Sequence, residues 1–337
     1  MSTDPSVLCT IVLDKFMEFI SYFKEKNTLY INDFLIKVRA NKREYVWSRV
    51  FRIHQYLKNL LLFVPVFAAH QISNPDTWFS LILAFCAFSL GASSVYIMND
   101  LLDRDSDRLH PRKCKRPFAS GRVPVWVGLV LAPILFFTSL AVGYLVNAIF
   151  VYWLLIYFGL TSLYSWGLKR VVLIDCLILA MLYTLRIIAG AAAANIELSF
   201  WLLAFSAFLF LSLAFLKRYT ELDIPLLIDT EKVHGRGYYP SDAPFIQMLG
   251  VTSGYASVLV LALYLNSEQI LTLYHTPQFV WGALPIMLFW ISWMWMQASR
   301  GNMHDDPLVF AIQDKASLLA GLAFVLVIGL GTGSWVW

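Results

Sequence analysis

Apolar residues run through this chain in long stretches, and most polar residues are gathered into the short connections between them. Nine apolar segments can be marked, at about 55–71, 79–98, 123–144, 147–166, 172–193, 199–216, 245–266, 279–298 and 316–337. They lack polar alternation and exceed the roughly 9–11 residues of a membrane strand, whereas about 20 apolar residues cross a bilayer as a helix. The pattern therefore predicts an all-α fold, a polytopic membrane protein built as a bundle of nine transmembrane helices.

The first fifty residues differ. "SVLCTIVLDKFMEFISYF" is apolar but broken by Asp14, Lys15 and Glu18. No basic residue precedes its apolar part, as a secretory signal would require. It reads as an amphipathic helix on the membrane surface, followed by the basic stretch "KVRANKREYVWSRVFR". A poorly ordered extension is the alternative. Residues 1–50 are thus a cytoplasmic extension and 51–337 a transmembrane domain.

Composition agrees. Of 337 residues, 59% are hydrophobic and 14% charged, against about 25% charged in soluble domains. Cys9, Cys86, Cys114 and Cys176 have no CxxC spacing, which argues against a disulfide framework or zinc site. Charge then orients the bundle. Every Lys and Arg but Arg186 lies at or before Lys58 or in alternate connections, while those near 72–78, 194–198 and 267–278 carry none. Positive residues stay on the cytoplasmic side. This predicts a protein of the cytoplasmic membrane with its N-terminus inside and its C-terminus outside.

Arg186 falls in the middle of the fifth segment, where a charge costs at least ~2.5 kcal/mol and usually faces a polar cavity. Asp175 is eleven residues earlier, on nearly the same helical face. Both are expected to line one interior cavity; a purely structural contact between them is the alternative.

The connection "NDLLDRDSDRLHPRKCKRP", 99–117, concentrates chemistry. Asn99, Asp100, Asp103 and Asp107 follow N-D-x-x-D-x-x-x-D, and steps of three and four put the carboxylates on one helix face. Stacked carboxylates repel, so a divalent cation is the natural occupant. Mg²⁺ is usually held by one or two carboxylates plus substrate phosphate oxygens. The pattern suggests a diphosphate held through Mg²⁺, with a solvated charged loop as the alternative. Arg112, Lys113, Lys115 and Arg116 follow, suited to a polyanion or in part to lipid headgroups.

Three more stretches at the same face add polar groups. "RIHQYLKN" offers Arg52, Gln55, Lys58 and Asn59. "LYSWGLKRVVLID" offers Tyr164, Ser165, Lys169, Arg170 and Asp175, and "FLKRYTELD" offers Lys217, Arg218, Glu221 and Asp223. Singly, each basic residue is equally well read as an interface anchor.

At these residues the sequence resembles the UbiA-type intramembrane prenyltransferase superfamily, nine-helix enzymes with NDxxDxxxD after the second span. The resemblance covers about residues 50–337. "RIHQYLKNLLLFVP", "HPRKCKRP", "YSWGLKRVVLID" and "KRYTEL" are similar to the decaprenyl-phosphate (polyprenyl-phosphate) phosphoribosyltransferase branch. Superfamily prenyltransferases carry a second DxxxD motif after the sixth span; here "KRYTELD" stands instead. The resemblance implies a membrane-embedded pentosyltransferase that moves phosphoribose from phosphoribosyl diphosphate to a polyprenyl phosphate, for cell-envelope glycan synthesis. Asp100, Asp103 and Asp107 would hold Mg²⁺. Lys58, Asn99, Lys113, Arg116, Tyr164, Lys169, Asp175, Arg186, Lys217, Arg218 and Glu221 would bind substrates. Expected partners are the two substrates, membrane lipids and a further copy of the chain, not nucleic acid. An aromatic prenyltransferase on the same fold is the nearest rival. A transporter is the rival of another class, although its site would be expected at the midplane between repeats.

Overall fold

The computed structural model describes residues 42–109, 113–222, 237–303 and 306–332. The predicted amphipathic helix lies outside them. Among the described residues the regular structure is helical throughout, without strands. Eight helices are long and apolar enough to cross a membrane. Their α-helices are α1 (Pro75–Leu102), α2 (Val125–Val146), α3 (Ala148–Trp166), α4 (Ile174–Ala194), α5 (Phe200–Leu222), α6 (Ala243–Leu265), α7 (Ala283–Ser299) and α8 (Lys315–Thr332), the spans of α6 and α7 starting earlier, at Pro240 and Pro277. The protein is an integral membrane protein.

The expected ninth helix is where the structure departs from the hydropathy pattern. Residues Ile53–Phe63 wind as a 3-10 helix, followed by a five-residue α-helix, Val64–Ala68. A 3-10 helix repeats every three residues, so Tyr56, Asn59 and Leu62 stack on one face. Tyr56 Oη meets Ser93 Oγ at 2.7 Å and Asn59 Nδ2 donates to Ser89 Oγ at 3.0 Å, both on α1. Leu62 lies against Gly190 of α4, where a Cβ would come within 2.1 Å of the Leu62 carbonyl oxygen. An α-helical turn of 3.6 residues would rotate these three residues off their common face. Side-chain register against α1 and α4 therefore overrides the apolar run.

Helix α4 is the centre of the bundle. Cys176, Ala180, Tyr183 and Ile187 face one core with α5, α6 and α7. Leu182, Ala189 and Ala193 face a second core with α1, α3 and the 3-10 segment. Its C-terminal run "AGAAAA" is small enough for neighbouring backbones to approach closely, as membrane helix packing prefers. Elsewhere polar residues define the turns. Asn147 separates α2 from α3, accepting the Phe150 N–H at 2.7 Å as N-cap and donating to Ala192 O of α4 at 2.8 Å. Gly301, at φ +71°, closes the end of α7, and the chain turns back across the bundle end.

Helix α5 also runs further than the apolar pattern indicated. It continues to Leu222, so Lys217, Arg218 and Glu221 stand on its last turns rather than in a loop. Lys217 and Arg218 are held there by Asp306 and by Asp175 of α4, and Glu221 pairs with Arg218 one turn away.

Candidate active site at the charged end of the bundle

The last turn of α1 carries Asn99 and Asp100, and the helix ends at Leu102. Asp103 is its C-cap, with its N–H on Asn99 O at 2.9 Å. A short helix, Arg104–Leu109, then brings Asp107, whose N–H bonds Asp103 O at 2.8 Å. Asp100 and Asp107 are both buried and turn toward Arg116. Its Nη1 lies 3.2 Å from Asp100 Oδ1 and 2.6 Å from Asp107 Oδ2. Arg52 adds a second guanidinium on Asp100 and stacks over the Tyr96 ring at 4.8 Å. Two buried carboxylates would be costly without these cations. Asp103 is half-buried and meets Lys169 Nζ at 3.4 Å. The break at Asp103 thus divides the expected single face into two converging carboxylates and one turned aside.

Two carboxylates sharing one guanidinium nitrogen place hard oxygen donors within reach of a single cation, the donor chemistry that Mg²⁺ takes. Among the described residues no three His, Cys, Asp or Glu side chains form a metal shell by themselves. A cation held here would complete its coordination with substrate oxygens and water, as Mg²⁺ ordinarily does.

Beside this pair is a cationic group that sequence spacing did not reveal as a unit. Asp306 Oδ2 accepts from Lys58 Nζ at 2.7 Å, Lys217 Nζ at 3.2 Å and Tyr183 Oη at 3.4 Å. These donors come from the 3-10 segment, α5 and α4. Burial pushes the Asp306 carboxyl up, but Lys217 and Lys58 outweigh it and hold the group well below the usual carboxylate range.

Arg186 and Asp175 are both buried, but each has its own partners. Arg186 Nε donates to Asn59 Oδ1 at 3.1 Å, Nη1 to Leu182 O at 2.6 Å and Nη2 to Tyr157 Oη at 3.1 Å. Its guanidinium lies 4.9 Å from the Tyr157 ring centre. Asp175 instead contacts Arg218 Nη2 at 2.5 Å and accepts from Tyr238 Oη at 2.6 Å. Glu221 is the other partner of Arg218. Helical periodicity put Asp175 and Arg186 on one face but could not supply these closer partners. Asp175, Arg218 and Glu221 form a clamp between α4 and α5.

Of the remaining candidates, Asn99 is half-buried beside the carboxylates, Lys113 is exposed in a short turn, and half-buried Tyr164 lies near Arg218. The site thus joins Lys58, Asp100, Asp107, Arg116 and Lys217, with Asp103 and Lys169 at its edge and Arg186 deeper. Arg52, Asn59, Tyr157 and Asp306 complete it. Arg52 and Asn59 could be suspected from the polar stretch "RIHQYLKN"; Tyr157 carried no signal in an aromatic-rich span.

The structure defines an integral membrane protein, a helical bundle with carboxylates and cations gathered at one end of its helices. The chain belongs to the UbiA prenyltransferase family, whose profile matches residues 60–319. It is 38% identical to nodulation protein NoeC of Azorhizobium caulinodans over 82% of this chain and 90% of that one. It is 36% identical to protein y4nM of Sinorhizobium fredii over 82% of this chain, but spans only about half, 54%, of that protein's length. It is 30% identical to decaprenyl-phosphate phosphoribosyltransferase of Mycolicibacterium smegmatis over 83% of this chain and 90% of that one. In fold it matches a UbiA homolog from Archaeoglobus fulgidus bound to GPP and Mg²⁺, with TM-score 0.64 and 17% identity over 85% of this chain and 98% of that one.

Proposed function

We propose that this chain transfers 5-phosphoribose from phosphoribosyl diphosphate to a polyprenyl phosphate in an Mg²⁺-dependent reaction. The observation that carries the reading is the asymmetry of the site. There is one carboxylate pair, Asp100 and Asp107 on Arg116, Arg52 ties it to the segment that carries Lys58, Lys58 and Lys217 converge on Asp306, and α5 ends in "KRYTEL" rather than a second Asp cluster. A donor that carries a 5-phosphate besides its diphosphate needs more cations than a prenyl diphosphate. The similarity to decaprenyl-phosphate phosphoribosyltransferase supports the same donor.

Asp100 and Asp107, with Asp103 and Asn99 beside them, would hold Mg²⁺. Bound there, the ion neutralises charge developing on the leaving diphosphate. Arg116 and Arg52 already neutralise the carboxylate pair and turn donors toward diphosphate oxygens when it binds. Lys58, Lys217, Lys169 and Lys113 receive the remaining phosphates as point charges. An oxygen of the lipid phosphate attacks ribose C1 as the bond from C1 to the diphosphate oxygen breaks. That oxygen is already ionised at neutral pH, so no general base is required. Arg186 and Tyr157 form the polar floor, and the polyprenyl tail leaves between apolar helices.

The positive-inside asymmetry supports an active site on the cytoplasmic face of the cell membrane. The 3-10 segment and the turn after it contain 11 and 5 residues. At their rises per residue they reach about 30 Å, enough for a ninth crossing. The reading is tested by equilibrium binding in detergent. Phosphoribosyl diphosphate should bind with Mg²⁺ and be released by chelator, while geranyl diphosphate binds far more weakly. Preference for geranyl diphosphate would instead favour an aromatic prenyltransferase.

A further inference from the structure

The connection between α7 and α8 is anchored in a way that the proposed chemistry has not yet used. After Gly301 turns the chain, Asn302 N–H bonds Gln297 O at 3.0 Å and buried Met303 packs into the core of α4, α5, α6 and α7. Asp306 then N-caps the helix Pro307–Gln313, with Oδ1 accepting the Leu308 N–H at 3.2 Å. Its other oxygen takes the three donors from Lys58, Lys217 and Tyr183. The two oxygens of one carboxylate therefore do separate work, one fixing the carboxylate to backbone and the other gathering cations.

Lys58 and Lys217 are separated from Asp306 by 248 and 89 positions in the chain, and no local geometry brings them together. Two ammonium groups against one carboxylate leave one positive charge in excess. Each ammonium has three N–H donors and spends one on Asp306. Without Asp306 the two would repel and part. The Asp306 side chain is only 8% exposed, and the cap and the following Pro307 keep it in place.

We infer that Asp306 is a positioning residue that holds Lys58 and Lys217 side by side as the seat for one phosphate monoester. This rests on the proposed reaction, in which both substrates carry such a group, the donor on its ribose 5-position and the lipid at its head. Asp306 stays in the site during turnover and does not occupy the phosphate's own place.

Asp306→Asn separates this role from capping, because Asn caps a helix N-terminus as well as Asp does while the charge that gathers the lysines is lost. Steady-state kinetics of the full-length variant should show KM raised on the order of tenfold for one substrate, with kcat and the KM of the other substrate little changed. The substrate affected identifies the phosphate seated between the lysines. Asp306→Glu should restore part of the loss. Adding Asp306→Asn to Lys217→Met should raise that KM much less than it does in the wild-type background, since Asp306 acts through Lys217. Unchanged KM for both substrates would overturn the inference, as would a lower KM, which would mean that the carboxylate competes with phosphate. A lowered melting temperature with unchanged KM values would also overturn it, by leaving the ion pairs of Asp306 with Lys58 and Lys217 a purely structural role. If the wild type transfers no phosphoribose, the proposed reaction fails on its own account. Binding of inorganic phosphate to wild type and Asp306→Asn, read by competition with a phosphate-monoester probe, then decides the inference: weaker binding in the variant upholds it and equal binding overturns it.

Discussion

Asp100 and Asp107 are buried carboxylates that share Arg116, and this sharing is the residue-scale feature on which the proposed chemistry rests. Their Asn variants remove charge and keep shape. Asp100→Asn and Asp107→Asn should each lower Mg²⁺-dependent transfer by at least about a hundredfold, with an unchanged gel-filtration profile in detergent; near-normal turnover in both would refute the metal assignment. Asp306 gives a pH prediction. Burial raises its carboxyl pKa, but Lys217 and Lys58 lower it further, leaving it below its unfolded value of about 3.9. A depressed carboxyl stabilises the fold above the unfolded pKa, and that contribution is lost as pH falls through the folded value. The stability gap between wild type and Asp306→Asn should therefore be full near neutrality and shrink below about pH 4. Thermal unfolding at both pH values measures it, and a constant gap would contradict the ion-pair account. The Asp motif was legible in sequence because its spacing is local. Asp306 was not, since its cationic partners Lys58 and Lys217 lie on distant segments of the chain.

At the scale of elements, α4 joins the two cores and holds the site from below. Its clamp to α5 joins Asp175 to Arg218, both buried. Removing one partner of a buried pair costs about 3–5 kcal/mol, whereas replacing both by apolar residues is often neutral. Asp175→Leu should thus lower thermal stability in detergent sharply, and Asp175→Leu with Arg218→Met should recover most of it. If the double variant is as unstable as the single, the clamp is not a simple pair. The close approach at Gly190 makes a second prediction. Gly190→Ala should destabilise by about 1–3 kcal/mol, because its Cβ would meet the Leu62 backbone, whereas Gly321→Ala on α8 meets nothing within 4 Å and should be nearly neutral. The apolar runs located eight helices because burial in lipid demands unbroken hydrophobicity. The 3-10 winding was hidden, since its cause is contacts to Ser89, Ser93 and Gly190 in other segments. The extension of α5 was hidden too, because Lys217, Arg218 and Glu221 read as a solvated end until their buried partners are known.

For the whole molecule, the helices meet so that the polar stretches before α1, after α1, after α3, at the end of α5 and before α8 gather at one end. This gathering was anticipated from the alternation of basic connections, although the partners within it were not. In intact cells a membrane-impermeant maleimide should label a single cysteine introduced at 197 and leave one at 105 unlabelled until the cells are permeabilised; labelling of both from outside would contradict the proposed orientation. The central claim is the identity of the donor. Membranes containing the protein should be incubated with Mg²⁺, polyprenyl phosphate and an aromatic acceptor, and given either labelled phosphoribosyl diphosphate or labelled geranyl diphosphate. The account predicts label from phosphoribosyl diphosphate in a lipid-soluble product that requires polyprenyl phosphate and is lost in Asp107→Asn. Label passing only from geranyl diphosphate to the aromatic acceptor would contradict it.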